Sequence, residues 1–309
     1  MLRLLDIASE FINMNYRLGD RTVREAMEEL LSNIDASEQP DWCPTETTLT
    51  ERQSIVSPQQ SFVYRPHRFA EMDINIEKAH KLQYALLPKT LPENAPCHLS
   101  AVLESYCHLS GDLFGWRMGD DGALKLWLLD MSGHGLRAGL LSALLKLLID
   151  EMEEIPRLEK MISELNRRLR ECLISSTDVL YATGVFLSLS ADHLHYLSAA
   201  HPPFLLINGG GLPQQCESTG RPLGVFADGA FSARDIELAP GSRLLLYTDG
   251  IIEAKNDAGE EFGVARLADA FATAPNTAAA TARHIYDTSA AFQDMQMIDD
   301  DVTFIAVNC

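Results

Sequence analysis

The N-terminal third of the chain changes its pattern of hydrophobic positions twice. In residues 2–34 the apolar side chains recur at helical spacing in two pieces, separated by a break at 18–20. Residues 36–68 are polar, contain several prolines and show no clear periodicity, which is typical of an irregular linker. Helical spacing returns over about 69–87, and Pro88 ends that helix. The sequence therefore predicts a helical module in residues 1–35, a linker in 36–68 and a further helix within 69–92.

Short strand-like runs dominate the rest of the chain, and helices interrupt them in pairs. One pair is predicted at about 136–154 and 157–173, and a second at about 264–273 and 278–291. Turn residues such as Gly209-Gly210-Gly211 separate neighbouring runs. Because consecutive strands are grouped, the pattern predicts an α+β architecture of antiparallel sheets flanked by helix pairs, and not a βαβ repeat.

The net charge of the chain limits the classes of molecule that it can bind. The 309 residues contain 25 Lys and Arg against 44 Asp and Glu, a formal net charge of −19, and 46% of them are hydrophobic. This hydrophobic fraction is near the globular average and allows a sizeable core. A chain this acidic lacks the clustered basic residues that nucleic acids or anionic membranes require, and it suits a site that gathers carboxylates around a cation.

The cysteines and the most apolar segment indicate a reduced, cytoplasmic protein. Six cysteines lie far apart without a Cys-x-x-Cys pair, so neither a zinc ribbon nor a disulfide framework is expected. The first residues carry Asp6 and Glu10 where a signal peptide keeps an apolar run. The most apolar stretch, residues 136–149, is too short to span a bilayer.

Acidic residues recur where a strand-like run ends or its neighbouring turn begins. If several such strand ends converge, their charges raise each other's pKa, and a bound divalent cation removes that repulsion. All-oxygen ligands select Mg²⁺ or Mn²⁺ over zinc. An Asp-Gly pair taken alone is usually only a turn, so the inference depends on the whole set. The positions are Asp112, Asp130, Asp249 and the run Asp299-Asp300-Asp301.

The runs that contain these aspartates resemble a known family. They are Gly111-Asp112-Leu113-Phe114, Asp130-Met131-Ser132-Gly133-His134-Gly135, Tyr247-Thr248-Asp249-Gly250 and Asp300-Asp301-Val302-Thr303. Their order and spacing are similar to those of the SpoIIE/RsbU phosphatases, the bacterial branch of the PPM-type metal-dependent serine/threonine phosphatases. The resemblance covers about residue 76 to the C-terminus and leaves residues 1–70 outside it.

The resemblance implies both a fold and a metal centre. The fold would be a four-layer αββα sandwich of two antiparallel sheets flanked by helix pairs, preceded by the short helical N-terminal module, with the phosphatase domain in 93–309. The centre would hold two Mn²⁺ or Mg²⁺ ions. Asp300 is the first residue of the Asp-Asp-x-Thr pattern, and a neighbouring aspartate is the alternative. The ligands would be Asp130 bridging both ions, the backbone carbonyl of Met131, Asp249 and Asp300 at the first ion, and Asp112 near the second.

Two histidines are candidates for the general acid that protonates the leaving alkoxide. In the wider PPM group this histidine lies two residues after the bridging aspartate, whereas His134 lies four residues after Asp130. A structural role for His134 in the turn before a helix is therefore an equal alternative. His201 lies between Ala200 and Pro202 and is interpreted as structural.

The sequence thus predicts a metal-dependent protein serine/threonine phosphatase. By resemblance alone, its substrate would be a phosphorylated anti-sigma-factor antagonist of the STAS type in a partner-switching pathway. The N-terminal helices would bind an upstream regulator, a second protomer or the catalytic domain, and the helix within 69–92 would couple them to the phosphatase. The alternatives are a catalytically silent relative that binds a phosphoprotein or a regulator, and a metal-dependent nuclease, against which the lack of a basic surface weighs.

Overall fold

The computed structural model describes residues 17–18, 21–22, 62–66, 74–107, 109–152, 155, 157–173, 180–293 and 298–309. Within these ranges the chain forms thirteen strands and six helices. The strands are β1 (Arg17–Leu18), β2 (Arg21–Thr22), β3 (Phe62–Pro66), β4 (His98–Ser105), β5 (Leu113–Met118), β6 (Leu124–Met131), β7 (Ala182–Leu189), β8 (His193–Ala199), β9 (Phe204–Ile207), β10 (Gln214–Cys216), β11 (Arg234–Glu237), β12 (Arg243–Tyr247) and β13 (Val302–Asn308). The helices are α1 (Ile74–Leu86), α2 (Leu136–Asp150), α3 (Leu158–Leu173), α4 (Asp249–Glu253), α5 (Gly263–Thr273) and α6 (Ala278–Gln293).

Two large sheets form the centre of the fold. Sheet I has the strand order β10-β9-β12-β13-β4-β3, and sheet II has the order β11-β8-β7-β6-β5. Neighbouring strands are antiparallel throughout, except that β3 runs parallel to β4. The strand β13 therefore lies inside sheet I, with Phe304 opposite Tyr247 on one side and Val302 opposite Glu104 on the other.

Both faces of sheet I are buried, which explains why its strands read as nearly continuous apolar runs. In β12, Leu244 and Leu246 belong to the core shared with sheet II, α2 and α3, whereas Leu245 and Tyr247 pack with α5 and α6. Side chains alternate along a strand, so this division requires a layer on each face. The layers are α5–α6, sheet I, sheet II and α2–α3. The predicted αββα sandwich is confirmed.

The most apolar helix, α2, is a core helix. Its residues Leu141, Leu145, Leu148 and Ile149 have no exposed surface. The helix follows directly on strand β6 of sheet II, against which it packs. Among the described residues, no helix combines the length and the apolar character needed to cross a membrane.

The N-terminal part differs from the predicted pattern at one point. Residues 62–66 form strand β3 inside the segment 36–68 that the sequence predicted to be irregular, and β3 pairs with β4 from Ala101 to Ser105. β3 is the last strand in the described order of sheet I, and Pro66 fits at the end of such a strand. The pair β1–β2 flanks the predicted break at 18–20. The rest of the predicted helices in residues 1–35 lies outside the described residues, and the domain boundaries stay predictions.

A disulfide joins Cys97 to Cys309, which the sequence did not predict. Asn308 is opposite His98 in the antiparallel β13–β4 pair. Cys309, which follows Asn308, therefore lies opposite Cys97, which precedes His98, with 4.3 Å between the two Cα atoms. The cysteines are 212 residues apart in sequence, and no spacing rule reveals a pair that only strand register brings together. The expectation of a fully reduced protein is wrong for this pair. Among the described residues, Cys107, Cys172 and Cys216 are free.

Candidate metal centre

Asp130 is the penultimate residue of β6, an inner strand of sheet II. The preceding residues of β6 are buried, with Leu128 and Leu129 fully enclosed, and Asp130 pairs with Thr183 on β7. The chain then turns into α2 through two glycines with positive φ, Gly133 at 88° and Gly135 at 79°. A side chain at either position would strain the backbone, so the glycines are what allows the strand to end beside the helix.

Asp112 lies in the connection from sheet I to sheet II, directly before β5. Its side chain is 3% exposed, and its Oδ2 accepts a hydrogen bond of 2.9 Å from the hydroxyl of Thr248. Burial raises the pKa of Asp112 well above 3.8, and the charges of Asp130 and Asp301 raise it further. The hydrogen bond from Thr248 opposes this effect because it favours the ionised carboxylate.

Asp249 is the first residue of α4 and follows β12. The backbone N–H of Thr248, just before it, donates to the Thr303 carbonyl at 2.9 Å and so fixes the end of β12 against β13. The pKa of Asp249 is raised, first by burial and then by the charge of Asp300. Gly250 must be glycine, because a Cβ there would overlap the carbonyl oxygen of Asp301.

Asp300 and Asp301, which precede β13, have different surroundings. Asp300 is exposed, and its Oδ1 accepts the backbone N–H of Asp301 at 2.8 Å. Asp301 is 4% exposed, and its carboxylate accepts the backbone N–H groups of Tyr106 at 2.8 Å and Gly111 at 2.7 Å. The exposed Asp300 is therefore the more accessible of the two for an ion.

Electrostatic repulsion links the acids of the two sheets. The pKa of Asp130 is raised from 3.8 to about 8, first by burial and then by the charges of Asp249 and Asp300. Effects of this size require charges that are close together in a poorly solvated region. Asp130 of sheet II and Asp249 and Asp300 of sheet I thus share one end of the sandwich, and Asp112 adjoins them through its interaction with Asp130.

The acids do not enclose a common point in this arrangement. Within the part of the chain that the structure describes, no group of three or more His, Cys, Asp and Glu side chains is placed so that it could hold a metal ion. The chemistry of the set nevertheless fits a hard divalent cation, because its donors are carboxylate oxygens whose mutual repulsion a cation would relieve. The ligand roles of Asp112, Asp130, Met131, Asp249 and Asp300 stay predictions.

His134 lies at the exposed rim of the site. Its ring packs edge to face against Tyr106, with 5.3 Å between ring centroids, and its Nδ1 is 3.8 Å from Sγ of Cys107. Its position between Gly133 and Gly135 places it immediately before α2. Both interpretations of His134, as general acid and as turn residue, are compatible with this position.

His201 is enclosed in the protein. It is 2% exposed, and its Nδ1 is 2.8 Å from the hydroxyl of Thr183, the residue paired with Asp130. Burial lowers the pKa of His201 to about 3, so the ring is neutral at ordinary pH. A neutral, hydrogen-bonded ring in the core agrees with the structural role predicted for it.

The sequence motifs did not reveal the contact between α1 and the site. Gln83 is 8% exposed; its Oε1 accepts the N–H of Ser110 at 3.0 Å, and its Nε2 donates to the Ser110 carbonyl at 2.6 Å and to the Ser142 hydroxyl at 2.9 Å. Ser110 lies two residues before Asp112. The sequence carries one indication of this contact: Gln83 is a polar residue on the apolar side of a helix, where a buried polar group needs a hydrogen-bond partner.

The chain was compared with known families and proteins. The family model of SpoIIE, described as stage II sporulation protein E, matches residues 120–309, which is more than half of the chain. The chain belongs to the SpoIIE family. The resemblance inferred from the motifs around Asp130, Asp249 and Asp300 is thereby confirmed.

Curated relatives of this SpoIIE-family chain include two phosphatases of Bacillus subtilis strain 168. Phosphoserine phosphatase RsbP is 28% identical over 182 residues, covering 58% of this chain and 45% of RsbP. Phosphoserine phosphatase RsbU is 24% identical over 236 residues, covering 74% of this chain and 69% of RsbU. The chain therefore spans less than half of the length of RsbP.

Solved structures of PPM-type phosphatases share the fold of this SpoIIE-family chain. The SiaA-PP2C domain of Pseudomonas aeruginosa has a TM-score of 0.66 and 20% identity, covering 76% of this chain and 96% of that domain. RsbX, solved in complex with magnesium, has a TM-score of 0.51 and 17% identity, covering 68% of this chain and 95% of RsbX. At these identities the likeness establishes the sandwich fold alone.

Proposed function

We propose that the chain is a metal-dependent protein phosphatase that hydrolyses phosphoserine or phosphothreonine on a regulatory protein. The observation that carries the proposal is the repulsion that raises the pKa of Asp130 to about 8, because it joins acids of both sheets at one end of the sandwich. Membership of the SpoIIE family and the names of the relatives RsbP and RsbU support the reaction class.

The proposed cofactor is a pair of Mn²⁺ or Mg²⁺ ions. Asp130 would bridge them, the Met131 carbonyl, Asp249 and Asp300 would complete the first position, and Asp112 would lie near the second. When bound, such ions supply an activated water and neutralise the phosphoryl oxygens. The magnesium complex of RsbX, which shares the fold, supports this choice of metal.

The chain's own contribution is to hold the acidic groups close together, although they repel one another when no cation is bound. Asp130 is the penultimate residue of β6, and the Thr248 hydroxyl orients the buried carboxylate of Asp112. His134 is proposed to donate a proton to the departing serine or threonine oxygen, since it lies on the exposed rim beside Tyr106. Its alternative role is that of a turn residue before α2.

The proposed substrate is a phosphorylated anti-sigma-factor antagonist of the STAS type in a partner-switching pathway. This proposal follows from the relatives RsbP and RsbU and has no support from any single residue of the chain. A direct test is dephosphorylation of such a protein carrying phosphoserine, compared with a phosphoserine peptide of the same local sequence. Equal efficiency on the two would remove the proposed preference for a folded partner.

Residues 1–35 are proposed as a regulatory module that α1 couples to the phosphatase domain 93–309. Gln83 on α1 supports the coupling, because it hydrogen-bonds both backbone groups of Ser110 in the connection that leads to Asp112. The module would bind an upstream regulator or a second copy of the chain. A mass in solution that does not change with protein concentration would exclude self-association.

The second candidate is a catalytically silent relative that binds a phosphoprotein. The specific observation in its favour is that no three acidic, histidine or cysteine side chains of the described residues are placed to hold an ion. The two candidates differ in turnover, because the silent relative binds its phosphoprotein without releasing phosphate.

The deciding experiment measures phosphate release from a phosphoserine protein, with and without Mn²⁺, for the wild-type chain and Asp130→Ala. Metal ions supply several kcal/mol of charge stabilisation, so we expect a loss of about a hundredfold or more in kcat/KM. Asp121→Ala is the matched control, since Asp121 is an exposed acid in the β5–β6 turn that pairs with Lys125. Equal turnover by Asp130→Ala, or full activity after chelation of metal, would refute the proposal.

A further inference from the structure

Asp301 is held differently from the other acids of the site. Oδ1 accepts the N–H of Tyr106 at 2.8 Å, and Oδ2 accepts the N–H of Gly111 at 2.7 Å. These amides lie at the two ends of the segment 106–111, which leads from β4 to Asp112. One carboxylate therefore ties both ends of this segment together, and hydrogen bonds to an ionised acceptor are among the stronger ones in proteins.

The backbone of Asp301 contacts the other acids of sheet I. Its N–H donates to Oδ1 of Asp300 at 2.8 Å. Its carbonyl oxygen packs against Gly250, the residue after Asp249, so closely that a Cβ at Gly250 would overlap it. The placement of Asp301 thus sets the distance between the start of α4 and the start of β13.

The segment that Asp301 holds also reaches the strand of Asp130. The carbonyl oxygen of Gly111 accepts the backbone N–H of Met131 at 3.3 Å. The N–H of Gly111 therefore donates to the Asp301 carboxylate, while its carbonyl accepts a hydrogen bond from Met131, the residue after Asp130. Through these contacts Asp301 adjoins each of the four predicted carboxylate ligands.

We propose that Asp301 is a positioning residue, which fixes Asp112, Asp249 and Asp300 relative to one another and is not itself a metal ligand. This inference rests on the proposed metal-dependent function of the same site. Both carboxylate oxygens of Asp301 are already engaged by backbone amides, whereas Asp300 is exposed.

The test compares Asp301→Asn and Asp301→Ala with the control Asp121→Asn, which removes an exposed acid in the β5–β6 turn. Asparagine keeps the size of the side chain and one acceptor oxygen, so it can satisfy one of the two amides, whereas alanine satisfies neither. In the metal-free protein we expect hydrogen exchange at the Tyr106 and Gly111 amides to accelerate about tenfold or more at the unsatisfied positions. Asp121→Asn is expected to exchange like the wild-type chain at these two amides.

The second readout is the Mn²⁺ concentration that gives half-maximal thermal stabilisation. We expect this concentration to rise about tenfold in Asp301→Asn, which loses one hydrogen bond, and about a hundredfold in Asp301→Ala, which loses both. At saturating Mn²⁺, kcat and KM for the phosphoprotein should return to within about threefold of wild type, because the ligands themselves are intact.

Three results would overturn the inference. Rapid exchange of the Tyr106 and Gly111 amides in the wild-type chain would show that the Asp301 bonds are not formed. An unchanged Mn²⁺ midpoint with faster exchange would make Asp301 merely structural. A loss of kcat that saturating Mn²⁺ does not restore would make it a ligand. If Asp301→Ala does not fold, the Mn²⁺ midpoint of Asp301→Asn and the hydrogen exchange of the wild-type chain still decide between these results.

The inference and the proposed function can fail separately. If the wild-type chain binds Mn²⁺ but releases no phosphate, the midpoint shift still tests positioning while the phosphatase proposal falls. If the wild-type chain is an active phosphatase and the Asp301 variants behave like Asp121→Asn, only the positioning role is lost.

Discussion

Asp130 should make the metal-free protein less stable as the pH rises, because its pKa differs between the folded and the unfolded chain. Its pKa is about 8 in the folded protein and 3.8 as an ordinary aspartate. Between these values the folded chain binds one more proton at this position than the unfolded chain does. The stability that Asp130 contributes is therefore fully present below pH 3.8 and is lost as the pH rises through about 8.

The size of the effect follows from proton linkage. A difference of one bound proton changes the free energy of unfolding by about 1.36 kcal/mol per pH unit, or about 2.7 kcal/mol between pH 5 and pH 7. Domains are typically stable by only about 5–15 kcal/mol, so the change is readily measured. The raised pKa values of Asp112 and Asp249 act in the same direction, whereas the lowered pKa of His201 opposes them between about pH 3 and 6.5, so the Asp130 contribution is read from a comparison of variants.

The assay is urea denaturation at pH 5, 6 and 7 in the presence of a chelator. We compare the wild-type chain with Asp130→Asn, which cannot ionise, and with Asp121→Asn as the control. The Asp121 pKa is lowered through its hydrogen bond with Lys125, so this variant should keep the wild-type slope in that range. The Asp130→Asn slope should be smaller by up to about 1.36 kcal/mol per pH unit.

Parallel slopes for the wild-type chain and Asp130→Asn would refute the reasoning, because they would show that Asp130 does not retain its proton in the folded protein. A second outcome is equally informative. Saturating Mn²⁺ at pH 7 should restore most of the lost stability in the wild-type chain, and restoration of the same size in Asp130→Asn would exclude Asp130 as a ligand.

The remaining predictions concern three other features. If His134 is the general acid, His134→Gln should reduce turnover of phosphoserine proteins by about 10²–10⁴. Turnover of p-nitrophenyl phosphate should be kept, because its leaving group needs no proton. Equal losses on both substrates would contradict this role. Gln83→Ala leaves the Ser110 N–H without its partner, while the Ser110 carbonyl keeps only the Ser142 hydroxyl. Urea denaturation should show a loss of about 1–3 kcal/mol, and an unchanged midpoint would mean the contact is absent. Reduction of the Cys97–Cys309 disulfide should lower the free energy of unfolding by about 2–5 kcal/mol, whereas a Cys97→Ser, Cys309→Ser double variant should no longer respond to reductant.

The layers of the fold could be predicted because burial leaves a direct mark on sequence. Strands buried on both faces, such as β12, read as short apolar runs, and helices such as α3 and α5 show apolar residues at helical spacing. The strand β3 escaped prediction because it lies at the end of a polar, proline-containing segment without clear periodicity, and its pairing with β4 is not visible in the sequence.

The composition of the site was predictable, whereas its internal contacts were not. Each candidate acid ends or adjoins a strand, which a reader can see in the sequence. The bond from Thr248 to Asp112 spans 136 residues, and that from Gly111 to Asp301 spans 190. Such partners depend on the register of strands from different sheets, and no local pattern encodes that register.

The position of β13 inside sheet I has a consequence for how the protein is made. The ribosome synthesises β13 after every other described strand, although this strand lies between β12 and β4. Until β13 emerges, β12 and β4 each offer an unpaired edge, and the two halves of the sheet have nothing to join them. Asp300 and Asp301 emerge immediately before it. The nascent chain therefore assembles its acidic centre in the same step that closes the sheet, and a partly translated chain has neither.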